Sequence, residues 1–430
     1  MTLKHEKRNM ILAGLVIGVI ASLLVLFGNP KNMGFCIACF LRDTAGGLGL
    51  HSAAAVQYIR PEIIGLVLGS FLMALCKKEF SARGGSAPVT RFMLGMFVMV
   101  GCLMFLGCPF RMILRLAGGD LNALLGLAGF VCGILAGVFF LNKGYTLKRS
   151  YALTKPEGGV FVILTLAVFA LLLLAPAFIH FSEAGAGPGA LHAPILISLA
   201  AGLIVGALAQ RTRLCMVGGV RDLVLFRETK LILGFAAILI GALACNLLLT
   251  GVTETKYFTL GFAEQPVAHA DGLWNFLGML LVGFGCVLLG GCPLRQLVLG
   301  RRQQRQRRDD PRPACGRGLL PQLRPRFLRQ RPDGQRQDRG RDRHCRRARG
   351  RMCQYLPKGE YEMTIVDAKG YSCPEPVIML RKAMMAKDNE YTVLVDNTAS
   401  RENVTRYAEH QGYTVSVSEA DGVYTLICRK

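Results

Sequence analysis

Residues 101–111 read GCLMFLGCPFR and residues 285–295 read GCVLLGGCPLR, so the pattern G-C-x5-C-P-x-R occurs twice in this chain. Each copy is preceded by one member of a second matched pair of segments. These are CIACFLRD at residues 36–43 and CMVGGVRD at residues 215–222. In both pairs a cysteine stands at a fixed distance from an arginine, and the copies lie about 180 residues apart. Repetition of this kind in hydrophobic sequence predicts a transporter-like membrane fold built from two related halves.

The composition favours a membrane protein and argues against an ordinary soluble enzyme. Hydrophobic residues make up 52% of the chain and the mean hydropathy is +0.38, and the apolar runs approach the roughly 20 residues that cross a bilayer. The start MTLKHEKR resembles the basic region of a signal peptide, but no small-residue cleavage site follows, so we expect an uncleaved first helix. The predicted spans lie near residues 10–28, 62–76, 90–107, 121–142, 158–181, 193–209, 231–251 and 273–291.

The loop charges predict how the two halves are oriented. The N-terminus and the loops at 77–91 and 143–155 are basic, which is typical of cytoplasmic segments, whereas the loop at 252–272 is acidic and is expected outside. The first and last of these loops are equivalent, so opposite sides predict an inverted repeat with halves at about 10–142 and 193–300. The span at 158–181 then connects the halves. The predicted fold class is an α-helical polytopic membrane protein with an inverted internal repeat.

Most of the net charge of +23 lies in one unusual segment. Residues 301–357 contain 19 Arg and 5 Asp, with no Lys, Ile, Val, Ser, Thr, Asn or Glu. When suitable codons are read one nucleotide later, QDRGRDRHCRRARGR (337–351) becomes the apolar run K-I-A-V-V-I-G-I-A-V-V-L-V-V-A. We therefore interpret 301–357 as a frameshifted segment, with the frame restored before Lys358, that has replaced the last two or so membrane helices. The alternative is a genuine Arg-rich linker.

The repeated cysteines and arginines are the candidate residues of a transport path. A thiol next to a cation or a helix N-terminus is held in its reactive form, and charges at membrane depth are usually functional. Such a path suits a small sulfur- or selenium-bearing anion, although soft sulfur ligands also suit Cu(I). Cys76, Cys132 and Cys245 stand alone and are interpreted as packing residues, and the Cys36-x-x-Cys39 spacing is a weak signal. The candidate path residues are Cys36, Cys108, Cys215, Cys292, Arg42, Arg111, Arg221 and Arg295.

The segments NMGFCIACFLRD, GCPFRMILRLAGGD, RTRLCMVGGVRD and GGCPLRQLVL resemble the YeeE/YedE membrane family over roughly residues 10–300. That family is associated with thiosulfate uptake and, in its YedE branch, with selenium transport. The resemblance implies that Cys36, Cys108 and Cys292 relay the substrate through transient sulfur contacts, with Cys215 as the partner of Cys36. The chain departs from the family pattern after residue 300.

Residues 358–430 change character and predict a separate domain. Short alternating runs such as EYTVLVD and GVYTLICRK are typical of strands, and two intervening segments have helical spacing. The second helix is expected to open at Ser400 and to stop at Gly412. The predicted order is β-α-β-α-β-β, an α+β two-layer sandwich.

The segment DAKGYSCPEPVIMLRKA places Cys373 just before the first helix of this domain, where the helix dipole lowers a thiol pKa. Pro374 and Pro376 stiffen the turn. The segment resembles the C-P-x-P signature of TusA/SirA-like sulfur carriers, and this resemblance implies that Cys373 carries a persulfide or selenopersulfide. Cys428, in the last strand, is expected in the core. The tail has no basic face with interleaved aromatics, so nucleic acid is not an expected partner.

The combined prediction is uptake of a reduced sulfur or selenium species, such as thiosulfate, through the cysteine-lined path and delivery to Cys373. The protein is then mainly a transporter, with sulfurtransferase or sulfur-carrier activity confined to the tail and with no cofactor or bound metal. We expect a multi-pass protein of the bacterial inner membrane with a cytoplasmic C-terminal domain. Its partners would be the lipid bilayer, the anion, and cytoplasmic sulfurtransferases or selenium-delivery proteins. The alternatives are a membrane-anchored sulfurtransferase without transport and a Cu(I)-handling membrane protein.

Overall fold

The computed structural model describes residues 3–77, 80, 83–85, 87–152, 155–299, 364–371, 374–386, 388–420 and 422–430. The segment interpreted as frameshifted lies outside the described residues, as does Cys373. The helical region before residue 300 and the C-terminal domain belong to one compact unit.

Helices dominate the chain before residue 300. They are α1 (Leu3–Leu26), α2 (Ile37–Gly47), α3 (Pro61–Cys76), α4 (Pro88–Met104), α5 (Pro109–Ala117), α6 (Asn122–Asn142), α7 (Lys155–Leu174), α8 (Ile195–Thr212), α9 (Met216–Phe226), α10 (Lys230–Val252), α11 (Gly272–Leu289) and α12 (Pro293–Leu299). A 3-10 turn (Ala54–Val56) precedes α3, and two short strands, β1 (Arg83–Gly85) and β2 (Ser150–Ala152), pair antiparallel.

Seven helical segments among the described residues are long and apolar enough to cross a membrane. Seven of the eight predicted spans coincide with them, and the eighth corresponds to α7, whose apolar part Gly159–Leu174 is shorter. The segments are His5–Leu26, Ala54–Cys76, Pro88–Ala117, Asn122–Asn142, Ile195–Phe226, Lys230–Val252 and Gly272–Val298. The prediction of a polytopic helical protein is therefore confirmed at the level of its helices.

Three of these segments are broken, and the breaks fall in front of the repeated cysteines. The backbone takes the left-handed conformation at Leu106 (φ 57°), Arg213 (φ 58°) and Gly290 (φ 84°), two residues before Cys108, Cys215 and Cys292. Gly34 (φ 44°) stands in the same relation to Cys36. A single left-handed residue ends one helical direction and lets a new helix start at a different angle. Each cysteine therefore lies at the start of a short helix, α2, α5, α9 or α12.

The long helices pack as close pairs through glycine. Helix α1 lies against α10, and α3 lies against α8. A Cβ atom at any of the four contacting glycines of α1 and α8 would collide with a carbonyl oxygen of the facing helix, so only glycine allows this approach. The glycine–carbonyl pairs are Gly14 with Gly234, Gly18 with Ile238, Gly202 with Glu62 and Gly206 with Leu66.

Helix α11 packs on both α4 and α6. Gly101 of α4 and Gly278 of α11 each lie against the backbone carbonyl of the other. On the opposite side of α11, Gly129 and Gly133 of α6 lie against the carbonyls of Phe276 and Leu280.

The loops fall at two opposite ends of the helices, in agreement with the loop charges. Strands β1 and β2 join the basic loops that follow α3 and α6, which places those loops at one end. At the other end, the Leu121 N–H donates to the Gly261 carbonyl and the Thr259 N–H donates to the Gly118 carbonyl. The acidic loop 252–272 is thus joined to the turn between α5 and α6.

The C-terminal domain has the predicted order of elements. They are β3 (Thr364–Asp367), α13 (Glu375–Ala383), β4 (Glu390–Val395), α14 (Thr398–His410), β5 (Thr414–Ala420) and β6 (Val423–Arg429). The sheet order is β3-β4-β6-β5, with Glu390 opposite Arg429 and Ala420 opposite Val423. Alternate residues of β4 and β6 are buried, including Cys428, so one sheet face forms the core under the two helices.

One predicted helix boundary is wrong. Helix α14 begins at Thr398 rather than at Ser400, and its N-cap is Asn397. The Asn397 side chain accepts a hydrogen bond of 2.7 Å from the Ser400 N–H, which satisfies a donor of the first turn.

Candidate functional site

The four repeated cysteines lie at four helix starts and are buried, with 1–6% of each residue exposed. Cys36 is the N-cap of α2 and Cys215 is the N-cap of α9. Their sulfurs accept hydrogen bonds of 3.4 Å from the N–H groups of Cys39 and Gly218, three residues on. Because the N-terminus of a helix carries partial positive charge, each site favours a negative charge on or beside the sulfur.

The second cysteine of each half starts a helix whose first residue is proline. Cys108 is the N-cap of α5, and Cys292 directly precedes α12. Proline suits this first position because it has no N–H to leave unpaired and its φ is already helical. Cys108 and Cys292 therefore hold the same position, immediately before a helix that begins with proline.

The structure brings the cysteines together as one pair in each half. The thiols of Cys36 and Cys108 lie close enough to interact with each other, and so do those of Cys215 and Cys292. Cys215, which the family resemblance implied as the partner of Cys36, holds the equivalent position in the other half and pairs with Cys292. Two sites result, each with two sulfurs and two helix N-termini.

Cys39 joins the first pair, although its spacing from Cys36 was only a weak signal. Its sulfur interacts with the Cys36 thiol and accepts a hydrogen bond of 3.2 Å from Nη1 of Arg111. The equivalent residue of the second half is Gly218, so the first site has three sulfurs and the second has two. The Cys36-x-x-Cys39 spacing was the one sequence signal that pointed to this residue.

The candidate arginines differ in how their charge is used. Arg42 pairs with Asp43 at 2.7 Å, and Arg221 pairs with Asp222 at 2.8 Å, so adjacent carboxylates offset both charges. Arg111 is fully buried and donates to the carbonyls of Asn32, Leu106 and Val267 as well as to the Cys39 sulfur. Of these three guanidinium groups, only that of Arg111 donates a hydrogen bond to a cysteine sulfur among the described contacts.

Arg295 is buried at the start of α12, and its backbone N–H lies close to the Cys292 sulfur. Arg111 has the same backbone relation to Cys108. Among the residues that the structure describes, no group of three or more His, Cys, Asp or Glu side chains is arranged to hold a metal ion.

Two further cysteines, Cys102 and Cys286, lie near enough to these pairs to interact with them electrostatically, whereas Cys76, Cys132 and Cys428 take no part in them. Cys76 and Cys132 are exposed on the outside of their helices, whereas Cys102 and Cys286 are fully buried on α4 and α11. Cys428 is buried in β6, and burial raises the pKa of its thiol to about 11, which keeps it protonated and unreactive.

The C-terminal domain docks on the end of the helices that carries the basic loops. Helix α14 supplies several of the polar contacts. Arg406 lies 2.7 Å from Glu228, Glu402 lies 2.8 Å from Arg213, and the ring of Tyr407 packs edge-on against Phe226. A cavity of about 120 Å³ remains between these side chains. Burial raises the pKa of Glu228 even though Arg406 opposes the shift, so this carboxylate is desolvated at the contact.

The residues on both sides of Cys373 also meet the helical region. Tyr371 lies under the guanidinium of Arg149, which is 3.3 Å from Asp367, and the Thr146 hydroxyl donates to Glu375. Burial raises the pKa of Glu375.

Helix α13 continues this contact, because Arg381 donates to the Leu225 carbonyl at the end of α9. Pro374 is the N-cap of α13 and Pro376 lies in its first turn, both buried. Thus the described residues on either side of Cys373 contact the same end of the helices that α9 reaches from Cys215.

Comparison with known proteins identifies the C-terminal domain. Residues 364–430 match the family model described as sulfurtransferase TusA. A protein of Methanocaldococcus jannaschii named "Putative sulfur carrier protein" is 37% identical over 71 residues, which is 16% of this chain and 95% of that protein. The crystal structure of a SirA-like protein from Desulfitobacterium hafniense is 39% identical and covers 16% of this chain and 96% of its own, with a TM-score of 0.15.

Proposed function

Because the chain belongs, through residues 364–430, to the TusA family of sulfur carriers, we propose that its helices pass a reduced sulfur or selenium anion across a membrane to that domain. The observation that carries the proposal is the pair of buried thiol sites, each formed by two cysteines at two helix N-termini. Sulfur accepts and donates weak hydrogen bonds. A chalcogen anion would therefore move between the sites through S–H···S contacts without forming a covalent bond.

An inverted repeat relates the two sites in this proposal. Two features support it: the left-handed residue two positions before each cysteine, and the reciprocal packing of α1 on α10 and α3 on α8. An inverted pair of sites presents one thiol cluster toward each side of the membrane. The three-sulfur site with Arg111 would receive the anion from outside, and the Cys215–Cys292 site would release it inward.

The acceptor is Cys373, in a domain that we place in the cytoplasm of a bacterium. Its docked position on the basic end supports this placement, since basic loops face the cytoplasm. With thiosulfate as cargo, the Cys373 thiolate attacks the outer sulfur and the S–S bond breaks. Sulfite leaves with the electron pair, and a persulfide remains on Cys373. Pro374 and Pro376 hold the turn while the positive end of α13 favours the thiolate.

Uptake of labelled substrate tests the proposal. Two proteins would be placed in vesicles or cells: the chain with the printed residues 301–357, and the chain with that segment translated in the shifted frame. Each would be given radiolabelled thiosulfate and radiolabelled selenium compounds together, so that the two substrates compete. We expect Cys108→Ala and Cys292→Ala to abolish accumulation, while Cys76→Ala, an exposed lone cysteine on α3, leaves it unchanged.

Two other results would each support a different function. If substrate accumulation is unchanged by substitution of the membrane cysteines but Cys373 still gains a persulfide, the protein is a membrane-anchored sulfurtransferase. If stoichiometric copper copurifies with the helices, the thiol pairs hold Cu(I).

A further inference from the structure

The outward face of α4 differs from the equivalent face of α11. Helices α4 and α11 carry the same G-C pair, at residues 101–102 and 285–286. On α11 this face is covered by α6, whose Gly129 and Gly133 lie against the carbonyls of Phe276 and Leu280. Farther along the same contact, the rings of Phe140 and Phe284 are 5.6 Å apart. The α6 contact thus extends along α11.

Among the residues that the structure describes, no helix covers the matching positions of α4 in this way. Phe92, Met96 and Val100 align with Phe276, Leu280 and Phe284, and they are 69%, 43% and 45% exposed. Leu103 is 42% exposed, whereas its counterpart Val287 is 1% exposed.

A cavity beside this face points to the same difference. It measures about 270 Å³ and is lined mainly by apolar side chains, among them Val98, Met99 and Leu289. In the first half the counterpart of Leu289 is Phe105, which is fully buried with its ring against Gly126 of α6. Within the described part of the chain, the space that α6 fills in one half is therefore open in the other.

We propose that this face of α4, with the adjoining cavity, binds a membrane helix equivalent to α6, and we call this surface the seat. The helix that occupies the seat is the one that the codons of residues 301–357 specify when they are read in the shifted frame. Chain order supports this occupant. Helix α6 follows α5 after four residues, and α12, the counterpart of α5, ends at Leu299. The occupant must therefore begin shortly after residue 299.

Residues 301–357, as they stand in the printed sequence, do not suit an apolar membrane surface. Each arginine placed at the centre of a membrane helix costs about 2.5–3.5 kcal/mol on insertion scales, and residues 301–357 contain 19 of them. The shifted reading removes the arginine at this part of the segment. Whatever codons encode Cys315, Gly316, Arg317 and Gly318, the next frame yields Val or Ala first and then three residues drawn from Val, Ala, Gly, Asp and Glu. Glycine and alanine let helices such as α6 and α11 approach closely, and position 317, the counterpart of Gly133, is drawn from Val, Ala, Gly and Glu.

Cysteine crosslinking in the full-length chain tests the seat. The corrected-frame protein would carry Val100→Cys on α4 and a cysteine codon at position 324, the counterpart of Phe140. The matched control is Phe140→Cys with Phe284→Cys, the equivalent pair on α6 and α11. Mild oxidation in membranes is followed by peptide mass spectrometry, which locates each new disulfide.

We expect the Val100–324 disulfide to form within one chain at a yield comparable to that of the control pair. If the control pair crosslinks and the test pair does not, or if Val100→Cys links two copies of the chain, the proposed occupant is wrong. Should the corrected protein fail to accumulate, mass spectrometry of the natural protein still decides, because Arg-rich peptides from 301–357 would overturn the proposal and apolar ones would support it. Neither readout depends on what the protein transports.

Discussion

The ion pair between Arg406 and Glu228 gives a direct test of how the carrier domain is held. The two side chains are 2.7 Å apart and only 14% and 19% exposed, and they join α14 to the segment between α9 and α10. Burial raises the pKa of Glu228, so its desolvation outweighs the attraction of Arg406. Replacing Arg406 with alanine therefore leaves a desolvated carboxylate without its nearest cation.

The expected cost of Arg406→Ala follows from this geometry. Truncating one partner of a buried, hydrogen-bonded charge pair costs about 2–5 kcal/mol. We take about 2 kcal/mol, because both side chains retain some solvent and Lys230 remains near Glu228. Since 1.4 kcal/mol is a factor of ten, the undocked fraction should rise about 30-fold.

Alkylation of Cys373 by a maleimide, followed at its own peptide by mass spectrometry, measures that fraction. Docking should protect Cys373, because Tyr371 and Glu375 on either side of it contact the loop at 143–149. If opening is fast relative to labelling, the rate follows the undocked population and rises about 30-fold in Arg406→Ala. Arg429→Ala is the control, since Arg429 pairs with Glu390 within the domain and takes no part in the described contacts with the helices.

The pH dependence has a definite sign. We assign the raised pKa of Glu228 to its burial beside Arg406 of α14, so docking is expected to take up a proton. The contribution of this group to docking is therefore full below its ordinary pKa of 4.5 and is lost as pH rises through the raised value. At neutral pH, Glu228→Gln should strengthen docking, and in that background Arg406→Ala should cost less. An unchanged labelling rate in Arg406→Ala, or an equal increase in both backgrounds, would refute the reasoning.

Three further substitutions test other parts of the molecule. Cys39→Ala removes one of the three sulfurs of the first site, and losing one neutral hydrogen-bonding contact to the cargo, about 0.5–1.5 kcal/mol, should raise the half-saturating substrate concentration about two- to tenfold without abolishing uptake; equal uptake curves would remove Cys39 from the path. Gly69→Ala should lower the free energy of unfolding by about 1–3 kcal/mol, because its Cβ would overlap the Leu203 carbonyl, and thermal unfolding would measure the loss. Gly251→Ala places its Cβ in open space and should leave the free energy of unfolding unchanged. Cys373→Ser should eliminate persulfide on the carrier domain while initial uptake persists, and loss of both would mean that entry and acceptance are one step.

Sequence pattern was sufficient to predict the elements that repeat. The C-P pair of the G-C-x5-C-P-x-R motif agrees with the short helices that start after Cys108 and Cys292, because proline is favoured at the first helical position. Strand alternation likewise predicted the four strands of the carrier domain. The start of α14 was missed because Asn397 and Ser400 are both good caps, and the extended backbone at Asn397 decides between them.

The site was predicted as a set of residues but not as an arrangement. Pattern alone could not show that Cys36 pairs with Cys108, since those residues are brought together by tertiary packing. Nor could it show that Arg42 is offset by Asp43 while Arg111 is directed at Cys39. These distinctions depend on side-chain direction, which the spacing of residues leaves open.

The backbone in front of the cysteines explains why the two halves keep the same site with different residues. In each half one left-handed position is glycine and the other is not: Gly34 with Leu106, and Arg213 with Gly290. A non-glycine residue in this conformation costs about 1–2 kcal/mol. Because each half bears that cost at a different break, the conformation cannot be a by-product of a glycine in the sequence. The surrounding packing must impose it, and its consequence at all four places is a sulfur at the start of a new helix.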